Sequence, residues 1–285
     1  MNVELKYAQA PYILGNTEID FSKETVVMGI LNVTPDSFSD GGKYNYLDAA
    51  VEKAAEMLKD GAKIIDIGGE STRPGHTPVT LDEELSRTIP VIEVLSKELN
   101  CVISIDTYKA SVAEEAIKAG AHIINDVWGA KREPRIVEVA KKYDAPIILM
   151  HNRFEAIYEG NLGDELIGDI EESISLARNA GVVDRNIWLD PGIGFAKNIE
   201  ENIEAMQNLD RLTALGHPVL LGTSRKSLIG KVLDLPVEER LEGTGATVCY
   251  GIEHGCHIVR VHDVKAIARM VRMMDVLTGK QEFMI

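Results

Sequence analysis

Acidic and amide side chains stand at the ends of several short apolar runs of the sequence. Asp106, Asn125 and Asp190 each occupy such a position. A carboxylate accepts two neighbouring N–H donors at once, and a carboxamide serves a neighbouring donor–acceptor pair. We therefore expect these three residues to bind a ligand that presents adjacent N–H donors.

Two cations and a histidine form a second candidate set. Lys226 lies in a polar stretch after one apolar run, and Arg260 and His262 stand two residues apart at the last run. Residues two apart on a strand face the same side. Because barrels often bind phosphate groups after their last two strands, this set predicts an anion site.

The stretch 29–42, GILNVTPDSFSDGG, begins as an apolar run and becomes polar at Asn32. Pro35 lacks a backbone donor, and the paired Gly41 and Gly42 favour a loop. This loop is longer than capping of the following helix requires. Polar residues after a strand are where α/β proteins place their chemistry, so we expect a functional loop.

Each of these residues also has a purely structural interpretation. Asp190 precedes Pro-Gly and would suit a turn, Asn125 would satisfy loop backbone, and Asp106 would cap the next helix. Lys226 and Arg225 would form a solvated pair. The convergence of complementary groups at several strand ends favours a binding site over independent capping.

The cysteines and two of the histidines lack the spacing of a zinc site or a disulfide framework. Cys101, Cys249 and Cys256 are scattered without CxxC spacing, which is typical of reduced thiols in a cytosolic protein. A pairing of Cys249 with Cys256 is not favoured. His76 and His151 lack HxH or HExxH spacing and are interpreted as local hydrogen-bonding residues.

Apolar runs typical of strands alternate with helical stretches along most of the chain. The strand-like runs are 26–31, 64–67, 102–105, 123–125, 147–150, 187–189, 219–221 and 258–261. The helical stretches are 48–60, 81–99, 110–119, 134–143, 163–180, 198–215, 237–254 and 264–277.

Eight strand–helix units in 285 residues predict an α/β fold, a closed (β/α)8 TIM barrel with right-handed crossovers. An open doubly wound sheet would normally carry a GxGxxG turn after its first strand, and that spacing is absent. We expect one barrel domain at residues 26–285. Residues 1–25 are predicted to form an N-terminal β-hairpin extension that closes the amino end of the barrel.

The composition of the chain argues against some classes of partner. The net charge of -15 and the absence of a Lys/Arg block argue against nucleic acid as a partner. No apolar run has the length of a transmembrane helix, and the first residues lack a signal-peptide pattern. We expect a cytoplasmic protein that acts on small molecules without a membrane.

Seven stretches together resemble the dihydropteroate synthase family, over roughly residues 26–278. The stretches are ILNVTPDSFSDGG at 30–42, ESTRPG at 70–75, SIDT at 104–107, IND at 124–126, LDPG at 189–192, GTSRKS at 222–227 and RVHD at 260–263. The resemblance implies a transferase of folate biosynthesis. Such an enzyme condenses 6-hydroxymethyl-7,8-dihydropterin diphosphate with p-aminobenzoate, uses Mg²⁺ and forms a homodimer.

The resemblance also implies roles for individual residues. Asp106, Asn125, Asp190 and Lys226 would bind the pterin, and Asn32 would ligate the magnesium ion. Catalysis would rest on Asp106, Lys226, Arg260 and His262, with the last two holding the diphosphate. The remaining substrate contacts would come from Thr72, Arg73, Ser227 and Val261. The loops 34–42 and 72–75 would close over the substrates, and no role is implied for segment 152–162.

Two other functions remain open at this point. A methyltetrahydrofolate methyltransferase would share the pterin-binding groups but would not need RKS together with RxH for a diphosphate. A catalytically silent pterin-binding paralogue would be expected to lose loop or anion-binding residues, and both sets are intact in this chain.

Overall fold

The protein is described by a computed structural model over residues 5–33, 43–70 and 79–282. The predicted site residues Thr72 and Arg73, both predicted closing loops and His76 lie outside the described residues. None of the helices within these three ranges has the length and apolar character needed to cross a membrane.

Eight parallel strands form the barrel that the sequence predicts. The strands are β3 (Val26–Asn32), β4 (Ile64–Gly68), β5 (Val102–Asp106), β6 (Ile123–Asp126), β7 (Ile147–Met150), β8 (Ile187–Asp190), β9 (Leu220–Leu221) and β10 (Ile258–Val261). Their order in the sheet is β8-β7-β6-β5-β4-β3-β10-β9, and a parallel bridge between Leu189 and Val219 brings the two edges together.

Helices alternate with these strands and cover the outside of the barrel. They are α1 (Lys43–Lys59), α2 (Leu81–Glu98), α3 (Ala110–Ala119), α4 (Arg135–Tyr143), α5 (Leu162–Asn179), α6 (Ile199–Gln207), α7 (Leu209–Thr213), α8 (Ser227–Leu233), α9 (Leu241–Glu253) and α10 (Val264–Leu277).

Two helical regions differ from the prediction. The stretch expected as one helix, 198–215, is divided at Asn208, which ends α6 and precedes α7. In addition, α8 follows Lys226 directly and was not predicted, because the motif there was interpreted only as a polar strand end. A short 3-10 turn, Val237–Glu239, precedes α9 where one long helix was expected.

The N-terminal hairpin closes the amino end of the barrel, as predicted. It consists of β1 (Tyr12–Leu14) and β2 (Thr17–Ile19). Tyr12 packs edge-to-face on Trp188 of β8, with ring centroids 5.2 Å apart, and accepts a hydrogen bond from the indole nitrogen at 3.2 Å. The Tyr12 hydroxyl donates to the carbonyl of Arg185 at 2.5 Å. The hairpin and the barrel therefore share one core, and the division of the chain at residue 26 stays a prediction.

Strand alternation divides the core into two parts. Side chains on one face of the strands pack outward against the helices, and those on the other face fill the barrel with the hairpin residues. The interior is apolar near its amino end, where Met28, Ile64 and Trp188 are fully buried. Towards the carboxyl end it becomes polar, with Asp66 and Ser104 also fully buried.

Candidate active site

A row of polar residues crosses four neighbouring strands at the carboxyl end of the barrel. Strand register pairs Asn32 of β3 with Gly68 of β4, Gly68 with Asp106 of β5, and Asp106 with Asn125 of β6. The fixed register places three side chains predicted from separate motifs at one level of the barrel mouth.

Arg260 of β10 extends past the neighbouring strand β3 to carboxylates of β4 and β5. Its Nε donates to Asp66 Oδ2 and its Nη2 donates to Asp106 Oδ2, both at 2.6 Å. Burial opposes the charge on Arg260, but the two carboxylates outweigh it and hold the pKa of Arg260 above its ordinary value. Arg260 therefore remains a fixed cation at this mouth.

A small pocket, partly open to solvent, lies above these groups. Its wall joins predicted polar residues from four strand ends to apolar side chains. The lining residues are Asn125, Val127, Met150, Asp190, Ile193, Phe195, Gly222, Lys226 and Arg260. Polar groups that converge beside apolar side chains suit a small ligand with both polar edges and apolar faces.

Asp190 both makes a local turn contact and lines the candidate pocket. Its Oδ1 accepts a hydrogen bond from the backbone N–H of Gly192 at 2.7 Å, as in an Asx turn. The same side chain lines the pocket. Burial raises the pKa of Asp190 to about 6, against the favourable effect of the Gly192 N–H and the nearby cations.

Lys226 presents its ammonium group to the same pocket. Its Nζ lies 4.2 Å from the ring centroid of Phe195, a cation–π distance. Burial and the neighbouring Arg260 lower the pKa of Lys226 to about 8. The solvated pair with Arg225 is not formed, because Arg225 makes a bidentate salt bridge with Asp263 at 2.9 and 2.5 Å.

Two predicted site residues at the end of β10 face opposite sides of the barrel wall. His262 lies two residues after Arg260, and its Nδ1 is 3.0 Å from Ser224 Oγ. Val261 points the other way: its side chain is fully buried in the outer core against the helices. A substrate that reaches Val261 would contact its main chain, and the predicted substrate contact at this residue stays a prediction.

The structural alternatives for Asp106 and Asn125 are excluded by their contacts. Helix α3 has Lys109 as its N-cap with no side-chain capping bond, so Asp106 does not cap it. Asn125 donates to Asp66 Oδ2 at 3.1 Å instead of satisfying loop backbone. Ser227 is exposed at the first position of α8, directly after Lys226.

The amino-acid sequence and the fold match known proteins. Residues 28–262 match the model of the pterin binding enzyme family. A dihydropteroate synthase of Bacillus subtilis is 62% identical over 262 residues, which are 92% of this chain and 92% of that protein.

The chain belongs to the dihydropteroate synthase family.

Members of this family are transferases, and so is this chain. A crystal structure of the Clostridium difficile enzyme in the presence of pteroic acid superposes with a TM-score of 0.89 at 52% identity, covering 91% of this chain and 98% of that one. A Xanthomonas albilineans dihydropteroate synthase with 4-aminobenzoic acid has a TM-score of 0.89 at 37% identity, covering 94% and 98%.

The donors at Asn32 fit a magnesium ion held mainly by water and substrate. Within the described ranges no three His, Cys, Asp or Glu residues form a metal-binding group. A Cβ on Gly68 would lie 3.7 Å from Asn32 Oδ1, so the glycine leaves space beside this oxygen. Mg²⁺ prefers oxygen ligands and usually takes only one or two from the protein.

Lys197 is a site-supporting residue that the sequence analysis missed. Its Nζ lies 2.7 Å from His151 Nδ1 and donates to the carbonyls of Gly192 and Phe195 at 3.1 and 3.2 Å. His151 Nε2 lies 2.9 Å from Asp169 Oδ2, which confirms its predicted local hydrogen-bonding role. Because Lys197 donates hydrogen bonds to two carbonyls of the loop after β8, it stabilises one wall of the pocket.

Asp66 is the other residue that was missed. It lies in the middle of the apolar strand IIDIG and its side chain is fully buried, yet it contacts both Arg260 and Asn125. An acidic residue inside an otherwise apolar buried strand was the available signal, because a carboxylate is rarely buried there without a partner.

Proposed function

We propose that the described pocket joins 6-hydroxymethyl-7,8-dihydropterin diphosphate to p-aminobenzoate, releasing 7,8-dihydropteroate and diphosphate for folate biosynthesis. The observation that carries this proposal is the meeting of Asn125, Asp190, Lys226 and Arg260 in one pocket. Relatives bound to pteroic acid and to 4-aminobenzoic acid support the choice of substrates.

The pterin would bind edge-on to the acidic side of the pocket. Asp190 keeps one oxygen on the Gly192 N–H, which leaves the other for the guanidine-like edge of the pterin. Asp106 and Asn125 would serve the remaining donors and acceptors of the ring. The apolar side chains of Met150 and Phe195 lie in the same wall and would contact the flat faces of the ring.

The diphosphate would bind on the cationic side, at Arg260 and His262. Arg260 is oriented by two carboxylates and is the strongest fixed positive group of the mouth. We propose that Asn32 ligates Mg²⁺, which when bound would neutralise part of the diphosphate charge. Arg73 is predicted to add a further positive charge.

The reaction would be a dissociative substitution at the exocyclic methylene carbon. The C–O bond breaks and its electron pair leaves with the diphosphate, which Arg260 and His262 stabilise. The resulting cation is spread over the electron-rich dihydropterin and is stabilised by Asp106 and Asp190. The aniline nitrogen then attacks this carbon and loses a proton, with Lys226, Ser227 and the Val261 main chain proposed to contact the substrates.

We also propose that the protein is a cytoplasmic homodimer. Cys101, Cys249 and Cys256 are free thiols, as suits a reducing compartment. Met273 and Leu277 of α10 are 56% and 66% exposed, whereas Val271 of the same helix packs on the barrel. These two outward apolar residues are candidates for a subunit contact.

Diphosphate release that depends on p-aminobenzoate tests the proposed reaction. We expect Lys226→Ala and Asp190→Asn each to lower the rate on the order of 100-fold or more, since each removes a group at the developing charge. Lys118→Ala on the outer face of α3 serves as the control and should leave the rate unchanged. Near wild-type rates in both site variants would disprove the site assignment, and release without p-aminobenzoate would disprove the reaction.

A further inference from the structure

One carboxylate oxygen accepts hydrogen bonds from two predicted substrate-binding residues that belong to different parts of the site. Asp66 Oδ2 accepts from Arg260 Nε at 2.6 Å and from Asn125 Nδ2 at 3.1 Å. Arg260 belongs to the proposed diphosphate side and Asn125 to the proposed pterin side. The same oxygen therefore sets the position of a donor on each side.

Asp66 itself is out of reach of a ligand in the pocket. Its side chain is 0% exposed, one layer below Gly68 on the inward face of β4. It is absent from the pocket wall, whereas both of its partners line that wall. Apart from the effect of its charge, Asp66 can therefore influence substrates only through Arg260 and Asn125.

Core packing alone does not explain a carboxylate at this position. Asp66 Oδ1 is buried and has no hydrogen-bond partner among the described residues. An apolar residue of similar volume often replaces a buried ion pair without loss of stability. A buried carboxylate with one oxygen that lacks a hydrogen bond should therefore lower the stability of the fold. Its presence at this position points to a role other than stability.

We propose that Asp66 is a positioning residue that holds Arg260 for the diphosphate and Asn125 for the pterin in one fixed geometry. With Nε on Asp66 and Nη2 on Asp106, the guanidinium is held at two points, and Nη1 is left for an anion at the mouth. Held at only one point, the guanidinium could rotate about its bond to Asp106. Asn125 would at the same time lose the acceptor that orients its amide.

The positioning role and a simple charge effect predict opposite results. Asp66 is a negative group beneath an anion-binding site, so by charge alone its removal should tighten diphosphate binding. If Asp66 acts by positioning Arg260, its removal should weaken diphosphate binding. The sign of the change in affinity therefore decides between them.

The test measures binding of two separate ligands to Asp66→Asn, which has nearly the same shape as the wild type. Calorimetry gives the Kd of inorganic diphosphate with Mg²⁺, and separately the Kd of 6-hydroxymethylpterin, which lacks the diphosphate. We expect both Kd values to rise at least tenfold, while the number of binding sites per folded molecule stays the same. An unchanged or lower Kd for diphosphate would overturn the proposal.

Asp66→Glu and Ser104→Ala complete the design. Asp66→Glu keeps the charge but moves the carboxylate by one methylene, so it should also weaken both ligands, and binding like the wild type would contradict the proposal. Ser104 is equally buried beside Asp66 on β5, and its hydroxyl has no partner among the described residues. Ser104→Ala should therefore leave both Kd values unchanged.

This inference rests on the proposed function, and Arg260→Ala separates the two. If Arg260→Ala leaves diphosphate binding intact, the assignment of Arg260 is wrong and the proposed site fails. If Arg260→Ala abolishes diphosphate binding while Asp66→Asn does not weaken it, the proposed function survives and only the positioning role of Asp66 is excluded.

Discussion

Burial shifts the pKa values of three ionisable residues at the mouth towards 7. It raises the pKa of Asp106 to about 7 and that of Asp190 to about 6, and it lowers the pKa of Lys226 to about 8. The pocket therefore has a narrow pH range in which its acids are carboxylates and its lysine is an ammonium. Groups with displaced pKa values of both signs in one pocket are typical of active sites.

The first prediction concerns the pH profile of kcat/KM. Activity should fall below about pH 6–7, because protonated Asp190 and Asp106 no longer accept two N–H donors. It should fall again above about pH 8, because Lys226 then loses its charge. Lys226→Arg should keep its charge and move the upper limb to higher pH while the lower limb stays. An upper limb that does not move would exclude Lys226 as its cause.

The second prediction separates the two oxygens of Asp190. In Asp190→Asn the side-chain carbonyl can still accept from Gly192, so the turn and the melting temperature should change little. The amide nitrogen replaces the pterin-binding oxygen, and pterin affinity should fall about 10- to 100-fold. Calorimetry with a pterin and thermal unfolding measure the two effects. A large loss of stability with unchanged affinity would assign Asp190 to the turn alone.

Individual elements show how local backbone supports the site. The loop after β8 turns back at Gly192, whose φ of +66° is strained for other residues, and a Cβ there would clash with the His151 carbonyl. Asp190 accepts a hydrogen bond from the Gly192 amide of this loop, and Lys197 donates one to the Gly192 carbonyl. The hairpin β1–β2 has a different task, because it fills the far end of the barrel.

The third prediction compares two glycines. Gly192→Ala should destabilise the protein by about 2 kcal/mol or more and weaken pterin binding, because the loop must move away from His151. Gly168→Ala on the exposed face of α5, where no atom lies within 4 Å of a new Cβ, should stabilise by about 0.5–1 kcal/mol. Denaturant unfolding measures both. Equal effects of the two substitutions would contradict the role of the turn.

The fourth prediction concerns the hairpin. Tyr12→Phe removes the hydroxyl between Trp188 and the Arg185 carbonyl and should cost about 1–3 kcal/mol of unfolding free energy. The catalytic rate should be retained, because the change lies at the opposite end of the barrel. Ile13→Ala, at a side chain 67% exposed on the same strand, should stay within about 0.5 kcal/mol. A loss of activity at native stability in Tyr12→Phe would show coupling between the two ends.

At the scale of the whole molecule, a closed barrel places acids and cations from distant parts of the chain around one mouth. The chain carries a net charge of -15, yet Lys226, Arg260 and His262 meet at adjoining strand ends. A local cationic region in an acidic protein can bind a diphosphate while the remaining surface repels other polyanions. The outer face of α10 exposes the apolar residues that we assign to a subunit contact.

The fifth prediction tests that contact. The wild type should have about twice the chain mass of 31.3 kDa in light scattering. Met273→Glu with Leu277→Glu should give a mass near that of one chain, because buried charge in an apolar contact is costly. Ile13→Glu, an equally exposed apolar position on the hairpin, should leave the mass unchanged. A wild type with the mass of one chain would exclude the homodimer.

The sequence by itself determined the alternation of strands and helices, the barrel, and most of the polar residues at its mouth. This succeeded because buried parallel strands are continuous apolar runs, and polar residues after them must lie at the carboxyl end. Asn32, Asp106, Asn125, Asp190 and Arg260 were found in this way. Helix boundaries were less well predicted, because Asn208 divides one expected helix and α8 begins in a motif that was interpreted only as a polar strand end.

Only the tertiary structure decided which side chains face each other. Asp66 and Arg260 are 194 residues apart in the chain, and they meet because β4 and β10 both pair with β3 and point these two side chains into the barrel interior. Strand alternation turns Val261 into the outer core, and the pairing of β9 with β10 brings Arg225 close to Asp263. A sequence motif identifies residues near a site, but strand register and barrel closure determine whether each one reaches the substrate, supports a neighbour or packs in the core.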